Sequence, residues 1–181
     1  MTYLFLANGF EELEAITVVD LFRRADIQIK VISLMDEIGI YGSKGIRIEA
    51  DEFYGFSDFS NAQMVILPGG MPGTTNLCNH YEFNRELKKY YDAGGTIAAI
   101  CAAPMVLAKA GMLKGKDATI YDGMEEELVD AKYVKEDVVV SDNIITARGP
   151  GLAIDFALKL IEILKGKEIA EEVREGLLYS K

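Results

Sequence analysis

Two side chains of this sequence have the chemistry of a nucleophile and its proton partner: the thiol of Cys101 and the carboxyl of Glu14. Cys101 stands where an apolar run (Gly95-Thr96-Ile97-Ala98-Ala99-Ile100) gives way abruptly to a helical pattern (Ala102-Ala103-Pro104-Met105-Val106-Leu107-Ala108). A side chain at such a strand-to-helix elbow projects from the carboxyl edge of a sheet, beside N–H groups that the helix start leaves unpaired. Those groups and the helix dipole favour negative charge, so the thiol is expected to ionise more readily than a free cysteine. The alternative is a buried structural cysteine acting as a small hydrophobe. Glu14 lies one turn before Val18 on the row Val18, Leu21, Phe22, Ala25, which aims its carboxyl at the core. If thiol and carboxyl share one proton, Glu14 holds it and donates a hydrogen bond to the Cys101 thiolate. Against this stands plain decoration of a helix N-terminus, where carboxylates are favoured. Glu11 and Glu12 are read in that second way, and periodicity does not separate Glu11 cleanly from Glu14.

Backbone donors complete the chemistry. Pro68-Gly69-Gly70 ends the run Met64-Val65-Ile66-Leu67, and glycine permits both close approach and positive φ. The amides of Gly70 and Ala102 could form an oxyanion site for a developing alkoxide, although a simple turn is the default for any Gly-Gly. Arg148-Gly149-Pro150-Gly151 opens a helix with a rigid turn, and Arg148 reads either as an anion clamp or as a structural ion pair. The single histidine, His80, offers with Cys78 two ligands without partners, so neither a metal nor an organic cofactor is expected. Cys78 itself is read as a bystander thiol in a surface loop leading into a helix.

The elements needed to hold these groups are legible as alternating strands and helices, an α/β pattern on a mostly parallel sheet. Strands are expected over Tyr3 to Ala7, Ile27 to Leu34, Met64 to Leu67, Gly95 to Ile100, Ala118 to Ile120, Val138 to Val140 and Ile144 to Thr146. Helices are expected from about Glu11 to Ala25, Phe83 to Ala93, Ala102 to Ala108 and Gly151 to Leu164. A hairpin-like stretch pairs Gly39-Ile40-Tyr41 with Gly45-Ile46-Arg47-Ile48 and turns near Ser43-Lys44. Ligands of open α/β sheets bind outside the carboxyl ends of the strands, so the Asn8-Gly9 turn, the Gly69-Gly70 turn and the Cys101 elbow should converge. Without repeats, low-complexity segments or linkers, residues 1–181 read as a single domain.

Composition narrows the function classes. Half of the 181 residues are hydrophobic and 27% are charged, the balance of an ordinary globular protein. A net charge of −10 repels phosphate backbones, so nucleic acid is not an expected partner. The clusters Lys114-Gly115-Lys116 and Lys165-Gly166-Lys167 are read as solvated helix ends. With two cysteines, no leader pattern and no long apolar run, the expected setting is the reducing cytoplasm, with no membrane association.

Four segments in order, Gly9-Phe10-Glu11-Glu12-Leu13-Glu14, Leu67-Pro68-Gly69-Gly70, Ala98-Ala99-Ile100-Cys101-Ala102-Ala103-Pro104 and Arg148-Gly149-Pro150-Gly151, make the whole chain resemble the ThiJ/PfpI (DJ-one) family, and most closely its bacterial YajL-type members. The resemblance implies a flavodoxin-like three-layer sandwich related to the class I glutamine amidotransferase fold. It implies Cys101 as nucleophile, Glu14 as its acid/base partner and Gly70 with Ala102 as oxyanion donors, in a homodimer to which the buried face of the early helix contributes. It also implies glutathione-independent glyoxalase activity on dicarbonyls, deglycation of modified amino groups, and a redox-regulated chaperone role in the oxidative stress response. Where many members carry a catalytic histidine this chain has Tyr121, and a phenol is a poor general base near neutral pH. The peptidase-like branch has histidine directly after the cysteine; Ala102 stands there, which excludes a protease or amidase. The leading expectation is a cysteine-dependent glyoxalase or deglycase; the rival is a redox-sensing, chaperone-like protein with little or no turnover.

Overall fold

Aliphatic and β-branched runs alternate with amphipathic stretches, and each strand must therefore bury both of its faces under helices. The computed structural model describes residues 1–180, and Lys181, the last residue of the expected domain, lies outside the described residues. In chain order the elements are β1 (Thr2–Leu6), α1 (Glu12–Arg24), β2 (Ile29–Ser33), β3 (Gly39–Tyr41), β4 (Arg47–Glu49), β5 (Glu52–Phe53), β6 (Met64–Leu67), α2 (Gly73–Asn79), α3 (Tyr81–Asp92) and β7 (Ile97–Ile100). There follow α4 (Pro104–Lys109), β8 (Asp117–Ala118), β9 (Lys132–Tyr133), β10 (Val138–Ser141), β11 (Ile144–Ala147), α5 (Ala153–Lys165) and α6 (Lys167–Gly176). A seven-stranded sheet runs β10-β11-β7-β6-β1-β2-β5 and is parallel except for the β10–β11 hairpin. This is the expected three-layer α/β sandwich of flavodoxin type.

The period-two alternation of the strands assigns the two layers. Leu4 and Leu6 of β1, Met64 and Ile66 of β6, and Ala98 and Ile100 of β7 face α1, α5 and α6. Phe5, Val65, Leu67, Ile97 and Ala99 face α3 and α4 on the other side. The predicted row Val18, Leu21, Phe22 and Ala25 is buried, and the inner face of α5 is supplied by Ala153, Phe156, Ala157, Leu160 and Ile161. Fully covering Phe22 alone contributes about 2–3 kcal/mol.

Register brings the strand ends to one edge. Leu67 pairs with Ala99, and Ile100 pairs with Ala147, so the chain leaves β6, β7 and β11 side by side. The three turns named from the sequence meet there: Glu11 N–H donates to Gly69 O at 2.9 Å, and Gly73 N–H to Gly9 O at 3.1 Å.

Several expectations need correction. Ala118-Thr119-Ile120 is fully buried, yet it is not a central strand: β8 pairs only with β9 in a separate small sheet, and Thr119 N–H donates to the Thr146 hydroxyl instead of a backbone ladder. Cys78 lies within α2, half-buried, and not in a loop. Lys116 is not a solvated helix end, since α4 stops at Lys109 and the Lys116 ammonium lies 2.6 Å from Asp142 Oδ2 with only 15% of its side chain exposed. The helix after Cys101 begins at Pro104, because Cys101, Ala102 and Ala103 form a turn of their own. No described helix is long and apolar enough to cross a membrane.

Candidate active site

The elbow is sharper than a strand running into a helix. Cys101 adopts φ +63°, in the left-handed region that a side chain with a Cβ rarely occupies. Its N–H continues the sheet ladder to Ala147 O at 2.9 Å, and its carbonyl accepts Tyr121 N–H at 2.9 Å. The bend turns the side chain out of the sheet, where the N–H groups of Ala102 and Gly70 both act on the sulfur. The donors are therefore single turn amides. They replace the helix N-terminus expected from the sequence, since α4 starts three residues after Cys101 and is only six residues long.

Glu14 is completely buried, as the helical row required. Its Oε2 accepts Gly69 N–H at 2.7 Å. Its Oε1 is buried without a conventional hydrogen-bond partner; the Cys101 thiol acts on this carboxyl as a donor and the Glu11 carboxylate opposes its charge. Gly69 makes the approach feasible. A Cβ there would stand 2.7 Å from Cys101 Cβ, 2.9 Å from Ala102 N and 3.0 Å from Glu14 Oε2. The adjacent Gly70 holds φ +90°, which aims its N–H at the sulfur.

Burial sets the electrostatics. Desolvation pushes the Glu14 carboxyl up to about 7, against the pull of Gly69 N–H and the thiol. Desolvation and then the facing Glu14 carboxylate push Cys101 up to about 12, with the Ala102 and Gly70 amides acting in the opposite direction. A thiol lowered by its position alone is thus not what the site provides. The pair releases one proton near neutrality and retains the other far above it. When the retained proton sits on Glu14, the thiolate loses its like-charge neighbour and gains a donor.

The other predicted residues are distributed unevenly. Tyr121 is tied to Cys101 through its backbone, but the residue is 48% exposed. With Asp122, Asp137, Arg148 and Gly149 to Leu152 it lines a groove of about 510 Å³ that Cys101 and Glu14 do not line. Arg148 is not an open anion clamp: Nε and Nη2 donate to Asp122 at 3.0 and 2.9 Å, and Nη1 to Asp137 at 3.3 Å. His80 is remote in role, capping α3 by accepting Phe83 N–H on Nδ1. Cys78 has its thiol pushed up by burial. Among the described residues no group of three or more His, Cys, Asp or Glu is placed to hold a metal ion.

Glu12 was misjudged as decoration. It is 7% exposed and its Oε1 accepts Lys44 N–H at 2.8 Å, while its Oε2 accepts the Ser43 hydroxyl at 3.2 Å. Those bonds hold its carboxyl below the usual range against the opposing effect of desolvation. The carboxylate fastens the β3–β4 turn onto the start of α1, a contact that only the fold reveals.

The DJ-1/PfpI family model matches residues 2–163. The chain is 41% identical over 177 residues to the protein dj-1beta of Drosophila melanogaster, covering 97% of this chain and 95% of that one. It is 33% identical over 175 residues to the glutathione-independent glyoxalase DJR-1.2 of Caenorhabditis elegans, covering 94% and 91%. Among solved structures, oxidized DJ-1 of Toxoplasma gondii superposes with a TM-score of 0.93 at 34% identity, over 99% of this chain and 98% of that one.

Proposed function

The chain belongs to the DJ-1/PfpI family, and from that premise we propose that it is a cysteine-dependent enzyme of the cytoplasm, one domain over residues 1–181, that consumes small reactive dicarbonyls or their early adducts on amino groups. The observation that carries this reading is the fully buried Glu14 carboxyl beside a Cys101 thiol whose sulfur faces the Gly70 and Ala102 amides. The Cys101 thiolate attacks the aldehyde carbon and Glu14 protonates the resulting oxygen, giving a hemithioacetal. The Gly70 and Ala102 amides, freed as the sulfur loses its charge, are the nearest donors for the transient alkoxide. The Glu14 carboxylate then removes the proton on the same carbon and passes it to the neighbouring carbonyl oxygen, giving an enediol; it next takes the hydroxyl proton of the first carbon and delivers it to the neighbouring carbon. What remains is a 2-hydroxy thioester, and water cleaves it to the hydroxy acid and the free thiol. Methylglyoxal gives lactate and glyoxal gives glycolate; one water is consumed and no external oxidant or reductant enters.

Turnover of methylglyoxal to lactate by Cys101→Ala and Cys78→Ala tests the reading. Loss in the first variant and retention in the second is expected; equal activity in both overturns it.

A redox-sensing, chaperone-like role is favoured by one observation: the single histidine, His80, caps α3, and a half-exposed tyrosine, Tyr121, stands where many relatives carry a catalytic histidine. Selective addition of oxygen at Cys101 by mild peroxide, with a change in client holding, is its signature; equal oxidation of Cys78 counts against it. In either role the protein acts as a homodimer through the outer face of α1. Leu13 and Ile16 are exposed there, beside Tyr41 and Ile46 of the hairpin that Glu12 fastens.

A further inference from the structure

Two hydrogen bonds hold the strained Cys101 backbone, and both come from outside its own strand and helix. Cys101 N–H donates to Ala147 O, and Tyr121 N–H donates to Cys101 O, each at 2.9 Å. The residues that follow these two anchors are Arg148 and Asp122, and they are joined to each other. Arg148 Nε and Nη2 grip the two carboxylate oxygens of Asp122 at 3.0 and 2.9 Å. The remaining guanidinium nitrogen reaches Asp137 Oδ1 at 3.3 Å, and Arg148 N–H reaches Asp137 O at 3.2 Å. A planar guanidinium held by two parallel bonds fixes orientation as well as distance, which the point charge of a lysine cannot do.

We propose that the Arg148–Asp122 fork is a positioning clamp for the nucleophile. It closes a ring through Cys101, Ala147, Arg148, Asp122 and Tyr121, and so fixes the angle at which the sulfur meets Gly70, Ala102 and Glu14. Each of the three guanidinium nitrogens donates to a carboxylate, and on this proposal Arg148 acts on the sulfur through the Cys101 backbone. The segment from Thr119 to Asp122 supports the same geometry, since Thr119 N–H is also anchored to β11 through the Thr146 hydroxyl at 2.9 Å.

The inference rests on Cys101 being the reactive thiol, and its test does not require turnover. Alkylation of Cys101 by iodoacetamide is followed against pH in a Cys78→Ala background, for the parent, Arg148→Lys, Asp122→Asn and the double variant. Asp122 is half exposed, so the asparagine variant keeps the fold, and melting temperature checks this. Each single change should alter the rate at fixed pH by roughly tenfold or more and move the pH midpoint, as a displaced reacting atom does. For methylglyoxal, kcat should fall while KM holds. The double variant should lose no more than either single one, because both break one link. Parent-like alkylation in Arg148→Lys overturns the clamp, as does simple additivity. So does an unchanged alkylation profile with a raised KM for an anionic aldehyde such as glyoxylate. Normal alkylation control by Arg148 in a protein that does not turn over methylglyoxal refutes the dicarbonyl reading and leaves the clamp standing.

Discussion

Replacing Glu14 by glutamine should make the protein more stable at alkaline pH and leave it unchanged in acid. The carboxyl has an ordinary value of 4.5 and is raised to about 7 in the fold, first of all by desolvation. Below pH 4.5 it is protonated whether the chain is folded or not, and burial carries no charge penalty. Between 4.5 and about 7 the folded chain holds a proton that the unfolded chain has released, so stability falls as pH rises through this window. Above it both states are ionised and the folded state bears the whole cost, roughly 3 kcal/mol at ~1.36 kcal/mol per pH unit. Glutamine is isosteric, and its amide oxygen still accepts Gly69 N–H in place of the Oε2 bond at 2.7 Å. The advantage of Glu14→Gln in urea unfolding should therefore be near zero at pH 4.5 and grow to roughly 2–3 kcal/mol by pH 8. Alkylation of Cys101 should quicken at pH 9 in the same variant, because the facing negative charge that helps push the thiol to about 12 is gone. Dicarbonyl turnover should vanish, since an amide cannot carry the proton between carbons. A stability difference that does not change with pH, or a glutamine variant less stable than the parent at pH 8, would refute the reasoning.

Two further outcomes follow from geometry alone. Gly69→Ala places a methyl group 2.7 Å from Cys101 Cβ and 3.0 Å from Glu14 Oε2, so it should cost about 1–3 kcal/mol in thermal unfolding and abolish turnover. Unimpaired turnover in that variant would mean the thiol and carboxyl need not meet. Leu13→Lys with Ile16→Lys removes apolar side chains that are 61% and 45% exposed. On the proposed assembly, sedimentation velocity should find the parent dimeric and the doubly substituted chain monomeric, with the circular dichroism of the fold retained; an unshifted mass removes α1 from the interface.

How much of this could be read from the sequence depended on the range of the interaction. The chief strands, the buried rows of α1 and α5, and the inward aim of Glu14 follow from local periodicity, which a run of residues carries by itself. Helix α6, absent from the helices expected, carries the same signal, with Ile169, Val173 and Leu177 four residues apart. Helix α2 carried none: Gly-Thr-Thr-Asn-Leu-Cys-Asn is a poor helix former, and the segment is held by Thr74 N–H on Gly70 O at 2.9 Å and the Asn76 amide on Asn8 O at 2.9 Å. Ala118 to Ile120 looked like a sheet strand because it is fully buried, and burial does not distinguish a strand from a covered loop. The role of Glu12 and the choice between the two readings of Arg148, settled as an ion pair, lay out of reach for a shared reason. Their partners, Lys44 and Asp122, lie 32 and 26 residues away, and no pattern within a helix or turn announces a contact across that distance.

The left-handed backbone of Cys101 has a bearing on how this chain tolerates mutation. A residue with a Cβ at φ +63° carries about 1–2 kcal/mol of conformational strain that glycine would not. Glycine would also keep both backbone bonds at this position, to Ala147 O and from Tyr121 N–H. The fold by itself therefore favours losing the thiol, and random substitution would drift toward glycine in any lineage that stopped using it. A cysteine at position 101 thus stands against the preference of its own backbone, and Cys101→Gly offers a thiol-free variant whose elbow is relieved of strain.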